Sequence, residues 1–474
     1  MKRNIFSLLF LLLVLLVPTS CKKILGLGND AHGTTYYANQ FAHDLMDAYY
    51  LWHDEVADDI KNWSYTADPV AKVKSLRYKE NGKEVDRWTS LWEDVRPFLG
   101  SVTGNTDSFG FDFLLKGDAE TGRVDYAVIT YTYANSPASE AGLGRGDIFT
   151  TLNGAQIDLN NYSVLYDGGT VRLGMQDGRT VTLTARKMYE DPIQTVRILE
   201  MGGKKIGYVH FTGFTMKAAV DFEDVFSQFK AAGIDELVMD LRYNGGGYTV
   251  TGQTLGSMIA PLDVVQTGSI FNKDVFNSNF DDSITRFEKN IVITLEDGTK
   301  HTVHAADVNP GVQRVWFIIT GSSASASESL ICGLKPFMKL YTVGQQSYGK
   351  YCGGYIITAE DYYDAIADQG VYGIDAEEGK AATENWGIYV IATRYSDCNG
   401  VTLSMPDGIP ADYAAADNPF DGYALGDPDE SMLSAVLDRM GVKPLPAVAP
   451  RRAVPAPGSL LPAAKPGFGV RILP

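Results

Sequence analysis

The spacing of apolar residues divides the chain into three stretches with different periods. Between residues 33 and 95 apolar side chains recur every three to four positions, as on amphipathic helices. From about residue 105 short β-rich runs alternate with Gly, Pro and Asn, which predicts strands joined by turns. After about residue 195 apolar runs are followed by Gly or Ser and then by helical patterns, which predicts an α/β domain of roughly 250 residues. The buried helical stripe is expected to comprise Phe41, Leu45, Met46, Tyr49 and Trp52.

The third stretch supplies the expected strands of the α/β domain. They are the runs KKIGYVHF, ELVMDLRYNGGG, RVWFIITG and IYVIATRY. The tail from about residue 443 is rich in Pro and Ala and has neither period, so it is expected to be extended or disordered.

Composition and charge exclude some partners. The 474 residues are 45% hydrophobic and 21% charged, which is typical of folded protein and allows about two to four domains. The formal net charge is −17, which disfavours nucleic acid or an anionic membrane surface as a partner.

The first 21 residues, MKRNIFSLLFLLLVLLVPTSC, have the order of a secretory signal: a basic start, then an apolar run too short to span a bilayer comfortably. "PTSC" resembles the cleavage box of bacterial lipoproteins, although Pro18 stands where that box usually has Leu. We therefore predict that residues 1–20 are removed and that Cys21 is lipidated, which places the protein in the cell envelope (periplasm), anchored to a membrane only by lipid. The alternative is an ordinary signal peptide followed by an incidental cysteine.

The remaining cysteines, Cys332, Cys352 and Cys398, lack the spacing of a zinc site. They are expected to be mostly buried thiols, with a Cys352–Cys398 bridge left open because sequence separation does not give distance. Neither a metal nor an organic cofactor is expected.

The segment NSPASEAGLGRGDIFTTLNGAQI closely resembles the late part of a PDZ domain. That resemblance implies capture of an extended peptide as an added strand, with its C-terminal carboxylate held by backbone N–H groups. Phe109, Gly110 and Phe111 lie where the family's carboxylate loop would be, although a plain strand start fits them equally. The matching residues are Ser136, Pro137, Ala138, Ala141, Gly142, Leu143, Gly146, Asp147, Ile148, Leu152, Asn153 and Gly154.

The segment GSSASASESL, residues 321–330, is the strongest candidate for chemistry. Ser325 and Glu328 have the spacing of a helix capping box, which alone would explain them structurally. The apolar run at residues 315–319 makes this a strand–turn–helix junction, however, where open α/β sheets bind their ligands. The N–H groups of such a helix start can also stabilise an oxyanion.

A nucleophilic serine needs a base. None of the six histidines follows the motif, so a nucleophile–acid–histidine order is impossible; His210 stays open as a base preceding the serine, although it is expected to be structural. The other candidate is Lys350, in a stretch dominated by Gly and aromatic residues.

The chain resembles the C-terminal processing, or tail-specific, serine peptidases over nearly all of its mature length. The segments that carry the resemblance are Ser323–Glu328, Ser347–Lys350, MDLRYNGGG and DGIPADY, in the family's order. The resemblance implies that Ser325 is the nucleophile, that Lys350 is the general base and that Glu328 orders the site. It further implies an oxyanion hole formed by the N–H groups of Ala326 and Gly246, the latter give or take one position.

The expected architecture follows from both resemblances. It is an α/β catalytic domain with a ClpP/crotonase-like strand–helix core, a PDZ β-domain and an N-terminal helical region. The expected boundaries are 1–20 for the signal peptide, 21–95 for the helical region, 96–192 for the PDZ domain, 193–442 for the peptidase domain and 443–474 for the tail.

The expected function is that of an exported serine endopeptidase with a Ser–Lys dyad, acting on proteins or peptides whose free, unstructured C-termini the PDZ domain captures. Two positions depart from the family: Pro336 replaces an Asp found in many members, and Tyr351 replaces the glycine after the lysine. The alternative is therefore a peptidase-fold adaptor that binds peptides with little or no turnover.

Overall fold

The computed structural model describes residues 32–118, 121, 123–371, 373–403, 407–442 and 460–462, so the expected signal peptide and Cys21 lie outside the described residues. Across these ranges no helix combines the length and the apolar character needed to cross a bilayer. The α-helices are α1 Thr34–Tyr49, α2 Ala57–Lys61, α3 Pro69–Ser75, α4 Arg96–Thr103, α5 Pro137–Glu140, α6 Met216–Ala232, α7 Thr249–Ile259, α8 Leu262–Thr267, α9 Ala305–Val308, α10 Ala326–Leu334, α11 Ala359–Gln369, α12 Ala376–Ala382 and α13 Ser431–Met440. Two 3₁₀ turns span Asp54–Val56 and Tyr162–Tyr166.

The strands are short in the first hundred residues and longer after them. They are β1 Lys79–Glu80, β2 Lys83–Glu84, β3 Ser90–Trp92, β4 Asn105–Ser108, β5 Phe111–Asp118, β6 Arg123–Thr132, β7 Ile148–Leu152, β8 Ala155–Gln156, β9 Thr170–Met175, β10 Thr180–Thr184, β11 Arg186–Tyr189, β12 Ile193–Met201, β13 Lys204–Phe211, β14 Glu236–Asp240, β15 Ile270–Val275, β16 Ser283–Arg286, β17 Ile291–Thr294, β18 Lys300–Val303, β19 Arg314–Ile319, β20 Lys339–Gly344, β21 Cys352–Thr358, β22 Gly387–Ser396, β23 Tyr413–Ala414 and β24 Leu460–Pro462.

The chain divides into two compact units that are not continuous in sequence. Of the described residues, the first unit contains those up to Arg96 together with those in 274–283 and 352–395, and the second contains those in 97–273, in 284–351 and from Ser396 onward. The predicted end of the N-terminal region at residue 95 therefore lies next to a unit boundary, whereas the single block 193–442 contributes to both units.

The first unit is partly helical. α1 buries Phe41, Leu45, Met46 and Tyr49 as the apolar spacing predicts, but it ends at Tyr49, so Trp52 lies in the following turn and is only half-buried. The region up to residue 95 was expected to be helical, but it also contains β1, β2 and β3. β3 is a strand because it pairs with β22. The run IYVIATRY accordingly forms an antiparallel strand of this unit, paired with β21 and β3.

The second unit contains a seven-stranded antiparallel sheet with the order β10-β9-β7-β6-β5-β24, in which β8 also pairs with β7. Its core consists of alternate residues of the strands, as expected where one sheet face is buried: in β5, for example, Phe111, Phe113 and Leu115 point inward. The β-rich runs that were predicted from about residue 105 include SFGFDFLL, most of which forms β5, and DYAVITYTY, most of which forms β6.

The same unit contains a six-stranded sheet with the order β12-β13-β14-β19-β20-β23. Every neighbouring pair from β13 to β23 is parallel, and only β12 is antiparallel to its neighbour. Alternate residues face opposite sides, so that Phe317 packs with α6 while Trp316 and Ile318 pack with α13. The sheet is therefore covered on both faces, which explains why β14 and β19 read as continuous apolar runs.

The tail was expected to lack regular structure. Its three described residues, Leu460–Pro462, instead form a strand on the outer edge of β5. The rest of the tail lies outside the described residues.

Candidate active site

Three adjacent parallel strands place the three sequence motifs at one edge of the sheet. The turn at residues 241–247 follows β14, the turn at 320–325 follows β19, and the loop at 345–350 follows β20. Since β14, β19 and β20 are neighbours and parallel, their carboxyl ends lie side by side. This is the edge where open α/β sheets bind their ligands.

Ser325 stands at the start of α10 in a conformation that non-glycine residues rarely adopt. Its φ is +56° and its ψ is −113°. The Ser325 N–H donates to Glu328 Oε2 at 3.0 Å, which is the carboxylate half of the predicted capping box. The backbone strain, of order 1–3 kcal/mol, is typical of catalytic and ligand-binding residues.

The neighbouring serines have structural hydrogen bonds. Ser323 Oγ donates to the Leu241 carbonyl at 2.7 Å, and Ser327 Oγ donates to the Asn244 carbonyl at 3.1 Å. Both serines are fully buried, whereas Ser325 is half-buried. Among these three, Ser325 is the one whose side chain a substrate can approach.

Glu328 joins the serine to the lysine loop. Its side chain is buried, and Oε2 accepts the N–H groups of both Ser325, at 3.0 Å, and Lys350, at 2.8 Å. Oε1 accepts the Gly349 N–H at 2.8 Å and the Ser347 hydroxyl at 2.5 Å. One oxygen atom accepts both N–H groups. The backbone nitrogens of Ser325 and Lys350 therefore lie within the combined length of two hydrogen bonds.

Burial raises the pKa of Glu328, while its hydrogen bonds with Ser347, Gly349, Ser325 and Lys350 oppose that rise. The four donors all favour the ionised carboxylate. The family resemblance implied that Glu328 orders the site, and its four hydrogen bonds are contacts through which it can do so.

The segment DGIPADY packs directly against the lysine loop. The Ile409 N–H donates to Ser347 Oγ at 2.6 Å, and the Ser347 N–H donates to the Ile409 carbonyl at 3.0 Å. A Cβ on Gly408 would lie 2.1 Å from the Ser347 carbonyl oxygen, so only glycine permits this contact. Lys350 itself is 2% exposed.

The glycine turn after β14 touches the serine. A Cβ on Gly246 would lie 2.7 Å from Ser325 Cβ, and Gly246 has a φ of +99°, so the approach requires glycine on two counts. The Gly246 N–H donates to Asn244 Oδ1 at 2.9 Å, while the Asn244 carbonyl accepts the Ala324 N–H at 3.0 Å. Asn244 therefore ties the two turns together, a role that sequence analysis did not identify.

The two departures from the family pattern lie in different surroundings. Pro336 is exposed in the turn that follows α10, so no carboxylate from that position supports the site. Tyr351 is 2% exposed, directly after the lysine.

A family model described as peptidase family S41 matches residues 205–412, a range that contains all three loops. That match makes residues 205–412, called the S41 domain below, similar to peptidase family S41. Peptidase family S41 is a family of serine peptidases, the class that the sequence resemblance predicted.

Curated relatives of this S41 domain are named as C-terminal processing enzymes. The carboxy-terminal processing protease CtpB of Bacillus subtilis is 27% identical over 307 residues, which cover 60% of this chain and 59% of the relative. The chloroplastic carboxyl-terminal-processing peptidase 2 of Arabidopsis thaliana is 24% identical over 267 residues, covering 53% of this chain and 46% of the relative. The chain spans about half the length of these relatives.

A solved structure shares the fold of the chain. The crystal structure of a Bacteroides fragilis protein assigned to the S41 proteases superimposes with a TM-score of 0.60 at 21% identity. The match covers 85% of this chain and 97% of that one.

His210 of the S41 domain was left open as an alternative base. It is fully buried, and neither ring nitrogen has a hydrogen-bonding partner, so the imidazole makes no hydrogen bond with Ser325. The ring packs edge-on against Tyr131 at 5.5 Å and Tyr243 at 5.9 Å between ring centres. Burial lowers the pKa of His210 to about 4. Burial between aromatic rings is typical of a structural residue, but the hydrogen-bonded imidazole that we expected is not observed.

Replacing His210 with phenylalanine is expected to remove an acid-sensitive step in stability. The unfolded chain binds a proton at His210 near the ordinary pKa of 6.5, and the folded chain near 4, so the free energy of unfolding falls by about 3 kcal/mol as the pH drops between those values. Charged groups acting on the ring are Asp240, Arg242, Arg145 and Asp417. Urea unfolding from pH 7.5 to 4 should show a flatter profile for His210→Phe; an unchanged slope would contradict the assignment.

The loop at residues 108–111 lies against the PDZ-like Ser-Pro-Ala motif. Ser136 caps α5 and also donates to the Gly110 carbonyl at 3.0 Å. A Cβ on Gly110 would lie 2.0 Å from Ser136 Cβ, and Gly110 has a φ of +80°. A cavity of about 50 Å³ is lined by the apolar residues Phe109, Phe111, Phe113, Leu165 and Tyr166 together with polar neighbours that include Ser108 and Glu190.

Replacing Glu328 with glutamine is expected to reduce activity about 10- to 100-fold. The amide keeps one acceptor oxygen, so the donors on the other side would face an NH₂ group: either the N–H groups of Ser325 and Lys350, or the Gly349 N–H and the Ser347 hydroxyl. Each unsatisfied donor costs about 1–3 kcal/mol. Steady-state kinetics checks the expectation, with Ser347→Ala as a milder variant that removes a single donor. Full activity of Glu328→Gln would show that the carboxylate does not order the site.

In the ranges that the structure describes, no group of His, Cys, Asp and Glu side chains is arranged to hold a metal ion. No disulfide joins the described cysteines Cys332, Cys352 and Cys398; the first two are buried, and the Cys352–Cys398 bridge is not formed.

Proposed function

We propose that the S41 domain is an endopeptidase in which Ser325 and Lys350 form a catalytic dyad. Ser325 Oγ attacks the peptide carbonyl, and the Lys350 amine takes the hydroxyl proton and returns it to the leaving amine. Water then hydrolyses the resulting acyl-serine. The single observation that carries this proposal is the shared Glu328 oxygen, which holds the backbones of both residues.

The oxyanion is bound by backbone N–H groups at the helix start and the glycine turn. Ala326 N–H is the first donor, since it follows Ser325 and opens α10. The second is a glycine N–H of the turn. Because the Gly246 N–H donates to Asn244 in the observed conformation, Gly247 is the better candidate, or Gly246 once that bond is exchanged.

The substrate is a polypeptide with a free, unstructured C-terminus. Support comes from the names of the curated relatives, which are C-terminal processing enzymes, and from the PDZ-like motif with its apolar cavity beside Phe109, Gly110 and Phe111. We assign those three residues to the carboxylate loop. The lipoprotein-type start places the enzyme in the cell envelope, anchored through Cys21.

Hydrolysis of unfolded casein by the full chain tests the proposal. Ser325→Ala should lower the rate by about 10³-fold or more, because removing the nucleophile of a catalytic dyad or triad abolishes the acyl intermediate. The matched control is Ser322→Ala. Ser322 lies in the same turn, two residues before Ala324, and its replacement should leave the rate unchanged. Peptide binding without turnover by the unaltered chain would favour the adaptor alternative.

A further inference from the structure

The outer edge of β5 in the second unit is occupied by a strand of the same chain. β24 is the last strand of the antiparallel sheet and pairs only with β5 in that sheet's order, while the other edge of β5 pairs with β6. The register sets Leu460 opposite Lys116, Leu461 opposite Leu115 and Pro462 opposite Leu114. Three residues from a segment with no strand-like sequence pattern thus pair with a strand that lies about 340 positions earlier in the chain. Among the described strands, this pair has the longest sequence separation.

The occupied edge is the one that a captured peptide would use. β5 begins at Phe111, directly after the candidate carboxylate loop, so a peptide added to its outer edge would hydrogen-bond with β5. β24 is antiparallel to β5, and from Leu460 to Pro462 it runs toward the Phe111 end. A peptide whose C-terminus enters the loop must run in the same direction. The tail strand and a substrate therefore exclude one another.

We propose that residues 460–462 are an internal competitor for the peptide-binding edge of β5, so that the chain masks its own docking strand. The inference rests on the proposed function for the carboxylate-loop assignment and for the effect on turnover, whereas occupation of the β5 edge requires neither. The competitor belongs to this chain, and the peptide that displaces it is an extended polypeptide of higher affinity.

The contact between β24 and β5 is weak enough for a peptide to displace the strand. The strand is three residues long, and Pro462 has no N–H to donate to the ladder, so few hydrogen bonds hold it. The strand is covalently connected to α13 through residues 441–459, and an intramolecular partner at such a sequence separation has an effective concentration on the order of 1 mM. A weak strand at that concentration reduces the apparent affinity of a free peptide by about 2- to 10-fold.

Hydrogen–deuterium exchange of the full chain tests the occupation directly. The triple variant Leu460→Gly, Leu461→Gly, Pro462→Gly, made in a Ser325→Ala background, should exchange the outward-facing amides of residues 111–118 about 2- to 10-fold faster than the parent. The matched control Val448→Gly, Ala449→Gly, Pro450→Gly changes the same number of tail residues outside the strand and should match the parent. Equal exchange in all three proteins would overturn the inference.

Casein hydrolysis by the same tail variants with Ser325 intact separates this inference from the proposed function. A kcat/KM about 2- to 10-fold higher in the strand variant alone supports the competitor. Faster exchange with no hydrolysis by any protein would reject the peptidase and keep the masking strand. Faster exchange with an unchanged kcat/KM would overturn competition with substrate.

Discussion

Replacing Lys350 with methionine is expected to lower kcat/KM on unfolded casein by about 10²- to 10⁴-fold, the usual contribution of a general base. Methionine nearly keeps the length and apolar stem of lysine but cannot accept a proton. Lys350 is 2% exposed, so its side chain is almost entirely removed from solvent. Steady-state kinetics with a thermal unfolding curve separates lost chemistry from lost fold.

Two further variants make the lysine test specific. Lys350→Arg keeps the positive charge but cannot lose its proton, so it is expected to be as inactive as Lys350→Met. Lys217→Met alters an exposed lysine that pairs with Asp221 on α6 and should leave kcat/KM unchanged. An active Lys350→Arg would mean that the residue contributes charge and not basicity.

Replacing Arg242 with methionine is expected to cost about 3–5 kcal/mol of unfolding free energy, the loss found when one partner of a buried ion pair is removed. The Arg242 side chain is fully buried and hydrogen-bonds with Asp240, Glu430 and Asp417 at 2.6–3.0 Å. Burial would raise the pKa of Glu430, but its hydrogen bonds and ion pair with Arg242 hold it at about 2. Without the guanidinium Asp240 and Glu430 lose their closest cationic partner, whereas Asp417 keeps its ion pair with Arg145.

Urea unfolding near pH 7 measures this loss. Arg242→Lys should recover little of it, since one ammonium cannot replace the two-sided guanidinium contacts with Asp240 and Glu430. Arg96→Met is the matched control: Arg96 pairs with Asp94 at the surface, where an ion pair contributes about 1 kcal/mol or less. A loss below about 1 kcal/mol for Arg242→Met would contradict the role assigned to this cluster.

The same cluster explains why the sequence motif after β14 contains an arginine. Arg145, in the PDZ-like motif, donates to Asp417 at 2.6 Å and to Tyr243 at 2.8 Å, and Asp417 also accepts from Arg242. Asp417 thus links the PDZ-like motif to the turn after β14. No role for Arg242 was predicted from the sequence, because its partners Asp417 and Glu430 lie 175 and 188 positions away.

Local patterns predicted the parts of the site that local structure determines. The apolar run before residue 320 and the spacing of Ser325 and Glu328 predicted a strand, a turn and a helix start, and these are β19, the turn and α10. The family resemblance implied Gly246, give or take one position, as an oxyanion-hole residue, and glycine suits that role because a backbone that approaches a substrate closely cannot carry a Cβ. The structure adds that the Cβ would first meet Ser325.

Long-range pairing accounts for what the sequence did not reveal. The predicted strand IYVIATRY has the correct period, but a period does not identify the neighbouring strands, and β22 pairs with β3 and β21. The tail strand β24 was not predicted because its sequence has no β-pattern. Its extended conformation comes from pairing with the edge of β5. Asn244 was missed for a similar reason, as its contacts arise only when β14 and β19 lie together.

Mass-spectrometric mapping of a fluorophosphonate adduct tests the central claim, that Lys350 activates Ser325, most directly. The full chain is expected to carry one adduct, on Ser325, and Lys350→Met should form it about 10²-fold more slowly or worse, because the hydroxyl then lacks its base. Ser323 and Ser327, whose hydroxyls bind backbone carbonyls, should remain unlabelled. Labelling of another serine, or an equal rate in Lys350→Met, would contradict the Ser325–Lys350 dyad.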